Sequence, residues 1–366
     1  MRFSSKCIHE GEREIEGAVI FPIFATSTFK FPMEGAKYVY SRSGNPTVEV
    51  VEKKVASLEG FEKGIAFSSG MAAISTTILA TSVNPKNVKI VTHTDKYGGT
   101  IKLFKKLIKY GFIIENYDID ALPENVGDAD IVFIESITNP LIKIPNLPEI
   151  RKNTDAIIIV DNTFASPYNF QPKKFGADIV LHSATKYLGG HSDIIAGITL
   201  VDSQYYNNIK GYRSSLGGSM DPFTAFLLNR GIKTLHVRME RHNENGQAVA
   251  EFLNEHPKVE YVYYPGLKDN PYYSVGKKLM RGFGGMVSFD IKGGKEEANK
   301  FIHKLKLITR AVSLGGVESL ATIPADVIMS GLTEEERGWV KENTIRLSIG
   351  LEDIDDLIED IDKALK

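Results

Sequence analysis

Asp178-Ile-Val-Leu-His-Ser-Ala-Thr-Lys186-Tyr-Leu-Gly-Gly-His191 decides the fold of this chain. Its first four residues, Asp178 to Leu181, have the apolar succession of a short buried strand, and Gly189-Gly190 then break the chain. Lys186 therefore leaves the end of a core strand, flanked by the hydroxyls of Ser183 and Thr185, where open α/β sheets seat their ligands. Partial desolvation there lowers an amine's pKa and makes it a nucleophile for a carbonyl. Most lysines are solvated, so the role of this one rests on its neighbours.

A second strand end supplies the first of them. Ala156-Ile-Ile-Ile-Val-Asp161-Asn-Thr163 is a β-branched run of the kind buried on both faces of a parallel sheet, and it ends on a carboxylate. Aspartate commonly caps the turn that follows a strand. With Lys186 at the next strand end, Asp161 is better read as facing a cation in the same crevice, such as a protonated pyridinium nitrogen.

Gly64-Ile-Ala-Phe-Ser68-Ser69-Gly70-Met71-Ala-Ala-Ile-Ser-Thr-Thr-Ile-Leu reads as a strand, a small-residue turn and a helix with Met71, Ile74 and Ile78 apolar. Free N–H groups and the positive end of the helix dipole meet at such a turn, although Ser69-Gly70 also suits a plain N-cap. Ser183 and Thr185 make the second wall of that anion site. Lysine, carboxylate and phosphate cradle together describe pyridoxal 5'-phosphate.

Further segments carry a resemblance. Cys7-Ile-His9-Glu-Gly11, Pro22 to Phe29, Tyr40-Ser-Arg42-Ser-Gly-Asn-Pro-Thr47, Tyr97-Gly-Gly-Thr100, Arg230 to Leu235, Ser313-Leu-Gly-Gly316 and Arg346-Leu-Ser-Ile-Gly350 join the three blocks above, in order along the chain. The chain resembles the Cys/Met metabolism family of pyridoxal phosphate enzymes, which holds cystathionine γ-synthase, cystathionine γ-lyase, cystathionine β-lyase and methionine γ-lyase. The resemblance implies an α/β fold type I, aspartate-aminotransferase-like, with a central mainly parallel sheet and a smaller α+β C-terminal domain. It also implies a homotetramer, a dimer of dimers with shared active sites.

Carried over residue by residue, the resemblance makes Lys186 the lysine that holds the cofactor and shuttles protons, and Asp161 the partner of the ring nitrogen. Gly70 and Met71 become backbone donors to the phosphate, with Ser183 and Thr185 as hydroxyl ligands. Tyr97 matches a tyrosine that stacks on the ring and assists at the leaving group. Tyr40 and Arg42 match residues that reach the phosphate of a neighbouring subunit. Arg346 matches the grip on the substrate α-carboxylate, with Ser313 and Asn139 nearby. A buried arginine needs an anionic partner in any case.

The implied activity is γ-replacement or γ-elimination on sulfur amino acids or activated homoserine, with methionine γ-cleavage and cystathionine β-cleavage as alternatives. Val312 stands where many γ-lyases and γ-synthases of the family carry glutamate, and valine cannot hold a distal ammonium. Gly99 stands where methionine γ-lyases typically carry cysteine. Asp326 and Ser330, within Thr322 to Gly338, also replace more usual residues at the pocket rim. A cofactor-free lysine aldolase would use Lys186 but would need neither Asp161 nor the Ser69-Gly70 helix start.

Composition sets bounds. The 366 residues suggest two domains, and a net charge of −2 argues against a nucleic-acid footprint. No apolar run approaches the roughly 20 residues that cross a bilayer. The first residues, Met-Arg-Phe-Ser-Ser-Lys-Cys, lack an apolar signal core, and the single cysteine, Cys7, points to a reducing cytoplasm. The eight histidines are scattered, so no metal site is expected; His182, His191 and His303 read as structural or solvated. Residues 1–43 read as an arm that wraps a partner subunit, 44–224 as the cofactor domain and 225–366 as the C-terminal domain. Ala225 to Leu253 reads as a long helical stretch with a hinge at Gly231. Gly285 to Asp290 reads as an alternating strand against Thr344 to Ile349. The last helix buries Ile354, Leu357, Ile358, Ile361 and Leu365, its acidic residues forming a solvated face.

Overall fold

In the computed structural model the described residues are 1–30, 37–82, 87–327, 330–333, 338 and 340–366. Pro32 and part of the rim segment 322–338 lie outside them. Apolar strands build a seven-stranded sheet from β1 (Lys63–Phe67), β2 (Lys89–His93), β3 (Ile113–Tyr117), β4 (Ile131–Glu135), β5 (Ile157–Asp161), β6 (Ile179–Ser183) and β7 (Gly197–Val201), in the order β1-β7-β6-β5-β4-β2-β3. β6, β5, β4, β2 and β3 run parallel, and β7 lies antiparallel to both β6 and β1. Strand alternation sends Ile158, Val160 and Val180 to one core and Ile159, Ile179 and Leu181 to another, so both faces of the sheet are dry. The expected mainly parallel sheet is present, and β6 runs on to Ser183.

A second sheet, order β10-β11-β12-β9-β8, uses β8 (Val259–Tyr263), β9 (Met286–Ile291), β10 (Thr309–Arg310), β11 (Leu320–Thr322) and β12 (Thr344–Ser348). β9 pairs with β12 as expected, but both strands are buried throughout, so the polar residues of the alternating reading face protein instead of water.

Two other readings are corrected, those of Gly231 and of the last helix. The helix Pro222–Lys233 passes through Gly231, and the break comes at Thr234. A Cβ on Gly231 would lie 2.2 Å from the Gly189 carbonyl oxygen, so that glycine serves the close approach of the Lys186 turn. The arm contains a helix, Phe3–His9, that seats fully buried Cys7 in the chain's own core. The last helix, Ile354–Leu365, buries Leu357, Ile361 and Leu365, while Ile354 and Ile358 are half-buried. Its acidic side is not all solvated. Asp360 is buried and accepts the N–H groups of Lys306, Leu307 and Ile308 at 2.8, 3.0 and 3.0 Å. No helix among the described residues is long and apolar enough to cross a membrane.

Candidate active site

The carboxyl ends of β4, β5 and β6 and the start of the helix Gly70–Thr81 open into one cavity of about 630 Å³. Lys186, Asp161, Ser183, Thr185, Gly70, Met71, Tyr97, Asn139, Ser313 and Arg346 all line it. The Lys186 Nζ donates to Ser313 Oγ at 2.9 Å, and burial, with a smaller effect from the Arg346 charge, lowers its pKa to about 8. Ser313 holds this hydroxyl from a left-handed backbone, φ 86°, a conformation kept where surrounding contacts enforce it.

Asp161 caps the turn that follows its strand and also lines the cavity. Its Oδ1 accepts the N–H of Thr163 at 3.0 Å and the Thr163 hydroxyl, the turn-capping pattern. Its Oδ2 has no partner among the described residues. Burial raises its pKa despite the Thr163 hydrogen bonds.

The anion end is built by close approach. Ser69 caps the helix, its Oγ accepting from Ala72 N at 3.1 Å, and the N–H groups of Gly70 and Met71 are left without an intrahelical acceptor. A Cβ on Gly70 would lie 2.8 Å from Ser183 Cβ, and one on Gly197 would lie 2.1 Å from the Ser69 carbonyl oxygen. The Thr185 hydroxyl accepts from Ala196 N at 2.9 Å, which fixes its position.

Buried Arg346 donates to Asn139 Oδ1 at 2.9 Å and to the Ser313 carbonyl at 3.1 Å, and its Nε is unpaired. Among the described residues no carboxylate pairs with it. Tyr97 opens the helix Gly98–Ile108 at the cavity wall. Tyr40 and Arg42 do not line this cavity. The Arg42 guanidinium lies at the surface, 5.6 Å from the Tyr40 ring, and donates to the Ser214 carbonyl at 2.6 Å. His182 pairs with Glu59 in the core at 2.7 Å, and His191 bonds to the Gly189 carbonyl.

Two residues at the site were missed in the sequence. Thr163 bonds Asp161 and accepts the Ser183 N–H at 2.8 Å, linking two strand ends. Glu135, the last residue of β4, lies in register beside Asp161 and is pushed up to about 8 by burial and by the Asp161 charge. It carried the same signal as Asp161, an apolar run ending on a carboxylate.

A profile of Cys/Met metabolism PLP-dependent enzymes matches residues 4–366. The chain belongs to that family. It is 41% identical to an L-methionine gamma-lyase of Fusobacterium nucleatum subsp. nucleatum over 98% of this chain and 96% of the relative. It is 42% identical to a cystathionine beta-lyase of Lactococcus lactis subsp. cremoris over 99% and 98%. Its structure is similar to that of cystathionine gamma synthase from Xanthomonas oryzae pv. oryzae in complex with cystathionine, with a TM-score of 0.96, 37% identity and coverage of 100% and 98%. As a member of the Cys/Met metabolism family, the chain is a PLP-dependent enzyme of fold type I. The cavity fits that cofactor by its own chemistry: a free carboxylate oxygen on Asp161, the N–H groups of Gly70 and Met71 at a helix start packed close to Ser183, and an amine of lowered basicity.

Proposed function

We propose that the chain carries out γ-elimination and γ-replacement on sulfur amino acids or activated homoserine, as a transsulfuration enzyme of the cystathionine γ-lyase or γ-synthase type. Lys186 carries the reading, as a buried amine of pKa about 8 in the cavity that Asp161 and the cationic Arg346 also line. When bound, pyridoxal 5'-phosphate supplies an electron-accepting ring that stabilises negative charge on substrate carbons.

Lys186 holds that group and, once substrate displaces it, takes the proton at Cα; an amine titrating near neutral pH is suited to both giving and taking protons. γ-Chemistry also removes a Cβ proton, which Lys186 can take only after it has passed the Cα proton on to the cofactor side of the substrate and is again a neutral amine. Asp161 presents Oδ2 to the ring nitrogen and keeps it protonated. The N–H groups of Gly70 and Met71 with the hydroxyls of Ser183 and Thr185 receive the phosphate. Arg346, oriented by Asn139 and the Ser313 carbonyl, grips the α-carboxylate. Tyr97 covers the ring and delivers a proton to the leaving group.

Tyr40 and Arg42 complete the phosphate site of a neighbouring subunit in a homotetramer of two dimers. Their surface position, outside their own chain's cavity, supports this, with Tyr40 45% exposed. Residues 1–43 form the inter-subunit arm around the helix Phe3–His9, residues 44–224 the cofactor domain and residues 225–366 the C-terminal domain; the enzyme works in the cytoplasm. Val312, 54% exposed at the cavity, offers no charge to a distal ammonium. With Gly99 in place of the cysteine typical of methionine γ-lyases, that supports a relaxed γ-specific enzyme acting on activated homoserine esters or cystathionine.

The test is a substrate panel: cystathionine, methionine, and O-acetyl-, O-succinyl- and O-phosphohomoserine with cysteine, products identified by mass spectrometry. The reading expects 2-oxobutanoate from γ-elimination or cystathionine from γ-replacement. Pyruvate and homocysteine from cystathionine, with no γ-product from any substrate, would make it a β-lyase.

A further inference from the structure

Glu135 has no part in the chemistry above, yet it is buried at the cavity floor with only 4% of its surface exposed. Its Oε1 accepts the N–H of Tyr97 at 2.7 Å, and its Oε2 accepts the N–H of Asn139 at 3.0 Å. Its own N–H donates to His93 Nε2 at 2.9 Å, so the residue is held from behind. Asn139 in turn orients Arg346 through Oδ1. Tyr97 has no side-chain cap for the helix it opens, and the Glu135 carboxylate lies at that helix start, where negative charge is favoured.

We infer that Glu135 is a positioning residue whose single carboxylate fixes both the leaving-group tyrosine Tyr97 and the carboxylate-binding pair Asn139 and Arg346. The inference rests on the roles proposed for those three residues. A substrate of this class spans from its α-carboxylate to its leaving group, and the two ends meet side chains from separate segments, 97 and 139–346. Among the described residues only Glu135 bonds to both segments directly, one oxygen to each. Ionised, it is an acceptor on both oxygens, which matches two N–H donors. Its place beside the buried Asp161 is costly, since two neighbouring carboxylates oppose each other's ionisation. With burial and the Asp161 charge pushing its pKa up to about 8, Glu135 accepts on both oxygens only when ionised, so the comparison is made above pH 8, where the carboxylate can accept from both N–H groups and glutamine from one.

The experiment uses the holoenzyme carrying Glu135→Gln, whose amide nitrogen must face one of the two N–H groups. Two quantities are measured: kcat on the substrate the wild type turns over best, and the dissociation constant of L-2-aminobutyrate, read from the absorbance of bound cofactor. Losing one charge-assisted hydrogen bond predicts about a tenfold or larger fall in kcat together with about a tenfold or larger rise in the dissociation constant. Tyr97→Phe lowers kcat alone, and Asn139→Ala raises the dissociation constant alone. Glu135→Gln added to Asn139→Ala brings no further tenfold loss of affinity, because the two act in series. Should Glu135→Gln fail to fold, Glu135→Asp replaces it, its shorter arm reaching only one donor, with the same paired effect expected. A changed Tm with kcat and affinity within twofold of wild type, or a change in only one of the two, overturns the inference. A wild type that binds L-2-aminobutyrate but yields no γ-product overturns the proposed reaction and leaves the affinity comparison to judge Glu135.

Discussion

Lys186 provides the most quantitative prediction. Its pKa is lowered from 10.5 to about 8, chiefly by burial and then by the Arg346 charge. At pH 7 an amine titrating at about 8 is neutral roughly 300-fold more often than one at 10.5, and only the neutral amine attacks an aldehyde. Cofactor capture by the apoprotein should therefore accelerate with pH and level off just above pH 8. Arg346→Gln removes the second cause, so Lys186 should titrate higher and capture at pH 7 should slow; Arg346→Lys keeps the charge and should change it less. Stopped-flow absorbance after mixing apoprotein with pyridoxal 5'-phosphate across pH 6 to 10 measures this. A wild-type midpoint near 10.5, or a midpoint unmoved or lowered by Arg346→Gln, would refute the argument.

Other expectations follow from the same geometry. The folded pKa of Lys186 lies below its unfolded value, so burying the ammonium destabilises the apoprotein at neutral pH; its Lys186-dependent stability should rise from about pH 8 towards 10.5, and Tm should show this as a gain absent from Lys186→Met. Gly70→Ala places a Cβ 2.8 Å from Ser183 Cβ, and overpacking of about 1–3 kcal/mol at the phosphate wall should weaken cofactor affinity by about tenfold or more, read by titrating apoprotein. Affinity within twofold of wild type would remove the cradle from the account. Gly99→Ala places a Cβ 2.4 Å from Tyr97 Cε1. That exposed ring can swing away, so kcat should fall while Tm moves by less than about 2 °C.

Apolar runs ending on a charged or hydroxyl residue were the legible signal. They located Asp161, Ser183 and Lys186 because parallel strands buried on both faces deliver their last residues to one crevice. The same signal marked Glu135, but its partners are backbone N–H groups contributed by residues 97 and 139, and sequence patterns do not display backbone donors. Thr163 was hidden for a like reason, since its hydroxyl joins strands that meet only in the fold. Asp360 was misread because helical periodicity sorts residues by polarity alone, and the three N–H groups that recruit it come from residues 306–308. Gly231 looked like a hinge because propensity counts glycine as a breaker, whereas here it lets a helix meet the Gly189 carbonyl. Tyr40, Arg42 and Val312 rested on resemblance throughout.

The central claim, that Lys186 serves γ-chemistry by moving protons at both Cα and Cβ, is tested by incubating the holoenzyme with L-2-aminobutyrate in D2O and recording the mass and NMR spectrum of the recovered amino acid. The account predicts deuterium at Cα and at Cβ, both lost in Lys186→Ala. Exchange confined to Cα would contradict it and place the enzyme among those that cleave at Cβ.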